Sequence, residues 1–249
     1  MDIVKAQELF EKLENDEFAQ NLIAQSNAKN ILLAVKEDEA NFPNFTEGLT
    51  ERVNGIAFAY LSIGCSIAEK SEVNDIAIKA FEKAGDIIHY IHSQNTEINE
   101  QSSFYLVVSS LSFYLASQYS KSFIAIKNVK AESALIKLFS NFLKKDLQAL
   151  IHEINKIQFD DEYDEVSDDE LEQNSKHYAV ILSKSLNLVL EYIYSGKEEY
   201  LYLGLEYLTD LNELASIDDE PAIWWLSRLL KILFGVFRNY SFWNVLPKL

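Results

Sequence analysis

The apolar positions of this chain recur at the spacing of an α-helix along most of its length. In residues 3–14, apolar side chains return every three or four positions, which would place them on one face of a helix. This pattern predicts about nine or ten helices, over residues 3–14, 17–36, 48–69, 73–92, 98–117, 119–128, 131–157, 170–195, 198–214 and 221–238. A strand at residues 104–108 is the competing interpretation. The pattern therefore favours an all-α fold with no sheet.

Breaker residues agree with this assignment. Only 7 Gly and 3 Pro occur in 249 residues, which is too few for the many turns of a sandwich or barrel. Pro221 follows three acidic residues, a typical helix start. Gly196 follows Tyr194 and Ser195 and fits the residue just after a helix end. Small residues such as Gly64 would let a neighbouring helix approach residues 48–69 closely.

The helices are expected to pair as hairpins. Ala77, Phe81 and Ala84 match the spacing of the second helix of a tetratricopeptide repeat. The first-position tryptophan and the closing proline of that repeat are missing. The sequence thus predicts irregular hairpins stacked like a solenoid, a TPR-like bundle rather than a true repeat array.

An acidic segment interrupts the helical pattern. Nine of the 13 residues from 160 to 172 are Asp or Glu, which predicts a solvated loop. A calcium-binding EF-hand loop is not matched, because Glu165 stands where that loop needs glycine. A weak contact with cations or a basic partner stays open. We expect an N-terminal helical bundle (1–158), an acidic linker (159–170) and a C-terminal bundle (171–249), with one continuous domain as the alternative.

The net charge of −17 makes the chain a poor binder of nucleic acid or anionic membrane by itself, although a local basic patch is not excluded. No signal peptide and no apolar run long enough for a membrane span is evident. The single cysteine, Cys65, lies in an apolar run and is expected in the core. Together these features predict a cytoplasmic protein.

No catalytic pattern emerges from the sequence. A P-loop, a Gly-rich dinucleotide loop and a nucleophile elbow are all absent, so we expect no enzyme activity and no cofactor. His89 and His92 share a helix face with Asp86, where a third ligand would complete a metal site. We favour instead polar-face histidines near a helix end, where the dipole stabilises imidazolium. His152 and His177 are isolated. An enzyme with its site inside the bundle is a minor alternative.

Residues 221–249 hold all three tryptophans and run apolar and aromatic to Leu249. Adjacent residues point about 100° apart on a helix, so one of Trp224 and Trp225 is expected in the core and the other against a neighbouring element. Core packing and docking of a partner or downstream domain are both open. The candidate interface residues are Trp224, Trp225, Phe242 and Trp243.

Two passages of this region carry a family resemblance. Trp224-Trp225-Leu226-x-Arg228-Leu229-Leu230 and the segment from Asn239 to Pro247 resemble the N-terminal helical region of bacterial DEAD/DEAH-box superfamily 2 helicases of the phage-defence kind. The passage from Tyr114 to Tyr119 looks like the helical-hairpin turns of the same family, so the similarity would cover most of the chain.

The resemblance implies an accessory role in antiviral defence. The motor of such helicases, with its P-loop and Asp-Glu-x-Asp/His box, has no counterpart here, so none of its catalytic residues carries over. The chain is then expected to pack on or regulate a downstream helicase motor or a partner subunit, and to meet nucleic acid only indirectly. The alternative is a stand-alone TPR-like scaffold that binds another protein.

Overall fold

The computed structural model describes residues 1–26, 45–70, 74–93, 100–127, 129–130, 133–159 and 170–236. Throughout these ranges the regular secondary structure is helical and the helices pack as stacked hairpins, which confirms the all-α prediction. The eleven helices described are α1 (Ile3–Glu14), α2 (Glu17–Ser26), α3 (Phe45–Ala68), α4 (Asp75–Ser93), α5 (Glu100–Leu115), α6 (Tyr119–Lys127), α7 (Ala134–Lys144), α8 (Leu147–Phe159), α9 (Glu170–Ser195), α10 (Glu198–Ile217) and α11 (Pro221–Val236).

The single long helix predicted over residues 131–157 is wrong, because the chain breaks at Lys145. This residue adopts a left-handed conformation, with φ of 58°. The Asp146 N–H then donates to the Asn141 carbonyl at 2.9 Å, which closes the end of α7. The Asp146 carboxylate in turn accepts from the Ala149 N–H at 3.0 Å and caps α8. One predicted helix is thus two.

The strand considered at residues 104–108 is also wrong, because these residues lie inside α5. Every residue from Tyr105 to Phe113 is buried. A helix that is enclosed on all sides needs no polar face, so its sequence reads as an unbroken apolar run like that of a buried strand.

The chain divides into two compact units. The first comprises Met1–Thr96 and Ser109–Ala125, and the second comprises Glu97–Val108 and Ile126–Leu249. Helix α5 contributes residues to both. The predicted boundary at the acidic segment stays a prediction, since residues 160–169 lie outside the described part of the chain; Phe159 and Glu170 on either side belong to α8 and α9.

In the first unit, glycine residues let helices approach each other closely. A Cβ on Gly64 of α3 would lie 2.7 Å from the ring of Phe81 on α4, and one on Gly85 of α4 would lie 2.8 Å from the ring of Phe113. The Ser109 hydroxyl donates to the Gly85 carbonyl at 2.9 Å across the same crossing. Gly64 thus acts as the small residues of α3 were predicted to act, whereas Gly55 of the same helix is exposed and makes no such close approach. Cys65 is fully buried, as predicted.

Charged groups tie the same unit together at its edges. Glu14 of α1 pairs with Lys83 of α4 and accepts a hydrogen bond from the Tyr60 hydroxyl at 3.3 Å. Lys121 of α6 contacts Asp86 at 2.9 Å and Glu82 at 3.0 Å, both on α4. Each of these contacts joins helices that are far apart in sequence.

In the second unit, α9, α10 and α11 pack in sequence order, and α9 also packs on α7 and α8. The Ser185 hydroxyl of α9 donates to the Gly204 carbonyl of α10 at 2.8 Å. A Cβ on Gly204 would lie 3.2 Å from the Ser185 carbonyl oxygen, so glycine allows the two backbones to approach here. This contact fixes which face of α10 is turned inward.

Candidate interface on the tryptophan helix

Helix α11, the tryptophan helix, begins at a tight turn after α10. Asp219 adopts a left-handed conformation with φ of 55°, and the Glu220 N–H donates to the Ala215 carbonyl at 2.8 Å. Pro221 is the first helical residue, as predicted, and has no N–H to leave unsatisfied. The turn thus connects α10 to α11 through only three residues.

A partly buried hydrogen bond holds this turn in place. The hydroxyl of Tyr178 on α9 donates to the Asp218 carboxylate at 2.6 Å. Burial raises the pKa of Tyr178, and the Asp218 carboxylate raises it further. Burial also raises the pKa of Glu220, with added repulsion from Asp218, Asp219 and Glu100. Negative charge is therefore concentrated just before α11, beside the positive end of its dipole.

Besides the packing of α11 on α10, one side chain of α10 forms hydrogen bonds to α11. The Asn212 amide donates to the Trp224 carbonyl and to the Ser227 hydroxyl, both at 2.9 Å. The Ser227 hydroxyl also donates to the Trp224 carbonyl at 2.9 Å. Since Asn212 reaches one side of α11 only, these bonds fix the rotation of the helix about its axis.

This rotation separates the two tryptophans as their spacing predicts. Trp225 is 6% exposed and belongs to the core, while Trp224 remains partly exposed. Arg228 and Lys231 are also partly exposed and follow Trp224 by four and seven positions, on one face of the helix. We call Trp224, Arg228 and Lys231 the tryptophan stripe. The rest of α11 from Ala222 to Phe234 is buried.

The stripe combines an indole with a cation. The rings of Trp224 and Trp225 meet edge to face with centroids 4.6 Å apart. The Arg228 guanidinium lies 5.2 Å from the Trp224 ring centroid and 5.8 Å from that of Trp225, within cation–π range. This arrangement holds the partly exposed indole in one orientation, and Trp and Arg are the side chains that most often dominate protein interfaces.

The other two candidate interface residues, Phe242 and Trp243, lie outside the described residues. The interface role of all four residues stays a prediction. Sequence reasoning missed Arg228 and Lys231 as members of the site, because their alignment with Trp224 becomes significant only once the buried face of α11 is known.

We expected the histidine pair on a polar helix face, and this prediction is wrong. His89 and His92 are largely buried, and desolvation lowers the pKa of His89 and brings that of His92 to about 4. Burial thus outweighs the helix dipole, and neutral imidazole is favoured. Asp86 is engaged by Lys121. Within the described ranges, no three His, Cys, Asp or Glu side chains are grouped to hold a metal ion.

None of the helices that the structure describes is both long and apolar enough to cross a membrane. No protein-family model matches the sequence.

A match to a curated protein covers the whole chain. The chain is similar to Hachiman protein HamB of Bacillus cereus, with 34% identity over 251 aligned residues. The alignment takes in 100% of this chain but 22% of HamB, so the chain spans about a fifth of the length of the relative it matches. The sequence comparison therefore places the similarity in one region of Hachiman protein HamB.

Proposed function

We propose that this chain is a non-catalytic helical interaction region of a cytoplasmic phage-defence protein. The observation that carries the proposal is the alignment of its full length with part of Hachiman protein HamB. The resemblance of the tryptophan passages to phage-defence helicases points the same way. In this role the chain packs on, or regulates, a helicase motor or a partner subunit that supplies the chemistry.

The tryptophan stripe is the surface we assign to that contact. Its indole is oriented by Arg228 and its helix is fixed by Asn212, so little ordering is left to occur on binding. A partner that covered Trp224 would remove the exposed part of its indole from water without disturbing the core, to which Trp225 belongs.

The test is phage plating on cells that carry the complete defence locus. Trp224→Ala in the gene that encodes this chain should raise the plating efficiency at least about tenfold, as expected for loss of an interface anchor. Phe123→Ala is the matched control, because Phe123 is an exposed aromatic residue of the other unit. It should leave protection unchanged.

The plating results test the defence role and the interface role of the tryptophan stripe separately. Absence of protection from the unaltered locus contradicts the defence role. Full protection with a folded Trp224→Ala protein contradicts the stripe as the interface. Thermal unfolding of both purified variants, expected within a few degrees of the unaltered chain, excludes misfolding as the cause.

A stand-alone TPR-like scaffold is the second candidate. It is favoured by the stacked hairpins and by the complete burial of Ala77, Phe81 and Ala84, the residues with repeat-like spacing. Sequencing the gene beyond codon 249 distinguishes the two. A reading frame that continues into a P-loop supports the helicase-associated role, and an immediate stop codon supports the scaffold.

A further inference from the structure

Helix α10 presents an outward face with a composition unlike the rest of the second unit. Its buried side is apolar and small, and consists of Leu201, Gly204, Leu208, Leu211 and Ala215. The opposite side is exposed and mixes carboxylates with apolar side chains. We call this exposed set the α10 face; it consists of Glu199, Tyr202, Leu203, Glu206, Asp210, Glu213 and Ile217.

The spacing of the α10 face makes it one continuous surface. Successive members are separated by one, three or four positions, so they line a single side of the helix. From Glu199 to Ile217 this side extends ~27 Å at 1.5 Å per residue. The Ser185–Gly204 contact holds the opposite side against α9, so the orientation of the face is fixed.

Three large apolar side chains on this face are exposed to water. Tyr202 is 48% exposed, Leu203 is 44% exposed and Ile217 is 80% exposed. Tyr202 and Leu203 lie near one end of the face and Ile217 lies at the other, with Glu206, Asp210 and Glu213 between them. A protein partner that carries both apolar and charged side chains can cover such a mixed surface.

The charge on the face determines which partner fits. Helix α10 contains five acidic residues and neither Lys nor Arg. Four carboxylates along one side repel the phosphates of nucleic acid and anionic lipid, in a chain whose net charge is already −17. A complementary partner carries Lys and Arg opposite the central carboxylates and apolar side chains toward both ends.

We propose that the α10 face docks a basic amphipathic helix of a partner protein. The helix is of similar length, and its apolar side chains cover Leu203 near one end of the face and Ile217 at the other. Its Lys and Arg side chains pair with Glu206, Asp210 and Glu213 between them. This deepens the proposed interaction role and rests on it, but it uses a different helix from the tryptophan stripe.

The probe is a labelled synthetic peptide of Leu and Lys, about 18 residues long to match the face, with its Leu residues on one helical side. Fluorescence anisotropy with the 249-residue chain at about 0.15 M salt should show saturable binding. The same peptide with Glu in place of Lys should not bind. Glu206→Lys with Asp210→Lys should weaken binding at least about tenfold, and Leu203→Ser about threefold or more.

The matched control is Glu8→Lys with Glu11→Lys, two exposed acidic residues of α1. It changes the net charge equally and should alter affinity less than about twofold, because neither residue belongs to the α10 face. An equal loss in this control would show attraction to net charge alone and overturn the proposal. So would unaltered binding by Leu203→Ser, or the absence of saturable binding.

Sedimentation velocity tests the remaining alternative, in which a second copy of the chain binds the α10 face. If the unaltered chain self-associates and Glu206→Lys with Asp210→Lys abolishes this, the face binds a second copy and the proposal is wrong. None of these assays involves Trp224, so their failure leaves the plating test of the proposed function intact, and failure of that test leaves the peptide result standing.

Discussion

At the scale of single residues, burial decides the behaviour of the polar side chains of this protein. His92 lies near the end of α4, where a helix dipole favours a positive charge. Desolvation nevertheless lowers its pKa to about 4. The sequence showed the position on the helix but not the depth of burial, which depends on elements remote in sequence. The wrong expectation for the histidines has this physical origin.

His92 should make the fold sensitive to acid. The folded protein keeps the imidazole neutral down to about pH 4, while the unfolded chain takes up the proton near its ordinary pKa of 6.5. The unfolded state therefore binds more protons between these values, and stability falls as the pH drops from about 6.5 to about 4. We expect His92→Gln to flatten this part of the stability curve by on the order of 2–3 kcal/mol.

The measurement is urea unfolding over that pH range. His152→Gln is the control, because His152 is exposed on α8, and its curve should parallel that of the unaltered chain. Equal slopes for the unaltered chain and His92→Gln would contradict the prediction, whatever the absolute stability of the variant.

The Tyr178–Asp218 bond should contribute measurably to stability. A hydrogen bond to a charged group typically contributes about 1.5–3 kcal/mol, and Tyr178 is 3% exposed while its hydroxyl donates at 2.6 Å. Tyr178→Phe should lower the free energy of unfolding by that amount. Tyr202→Phe on the exposed side of α10 should change it by less than about 0.5 kcal/mol.

A double-mutant cycle with Asp218→Asn tests whether the two residues act through each other. Their coupling should be about 1 kcal/mol or more. Additive losses would show that the bond contributes nothing beyond the separate environments of the two side chains.

At the scale of helices, the sequence predicted the elements well and one boundary poorly. Pro221 indicated a helix start and Gly196 a helix end, because proline and glycine are favoured at these positions. Gly196 has the expected positive φ of 69°. The sequence did not indicate the end of α7, because the left-handed residue there is Lys145 and lysine rarely adopts that conformation. The one available signal was Asp146, a good N-cap that was overlooked inside an apolar periodicity.

Gly64 should be required for the crossing of α3 and α4. An added methyl would lie 2.7 Å from the Phe81 ring, which is fully buried. Overpacking of this kind costs about 1–3 kcal/mol, and it opposes a gain of about 1 kcal/mol in helix propensity. We expect Gly64→Ala to destabilise the chain in thermal and urea unfolding.

Gly55 on the same helix is the matched control. Among the residues that the structure describes, none places an atom within 4 Å of a Cβ added there, so Gly55→Ala should stabilise the chain by up to about 1 kcal/mol. Opposite signs for the two substitutions are the expected result. Equal stabilisation by both would show that the crossing relaxes without cost.

At the scale of the whole molecule, the sequence indicated the class of fold and the region of interest but not the surfaces. The adjacency of Trp224 and Trp225 predicted that they would diverge. Which of them is exposed followed only from the packing of α11 on α10, through Asn212. The α10 face went unrecognised for the same reason, since its carboxylates form one side only when the buried side is known.

The charges of the molecule make it a weak partner for DNA by itself. The tryptophan stripe carries Arg228 and Lys231, but the total charge of −17 acts against any phosphate that approaches them. Two cations release few counterions, so the affinity for single-stranded DNA should be weaker than about 10 µM at about 0.15 M salt and should fall further as salt rises.

A salt series of anisotropy titrations with labelled single-stranded DNA provides the measurement. Lys231→Glu should abolish the residual binding at low salt if it occurs at the stripe, while Lys5→Glu on α1, at an exposed position, makes the same charge change and should leave it largely intact. Binding tighter than about 100 nM at about 0.15 M salt would contradict the charge argument. It would also indicate that the protein binds nucleic acid directly, because such an affinity in so negative an electrostatic field requires a dedicated phosphate-binding surface.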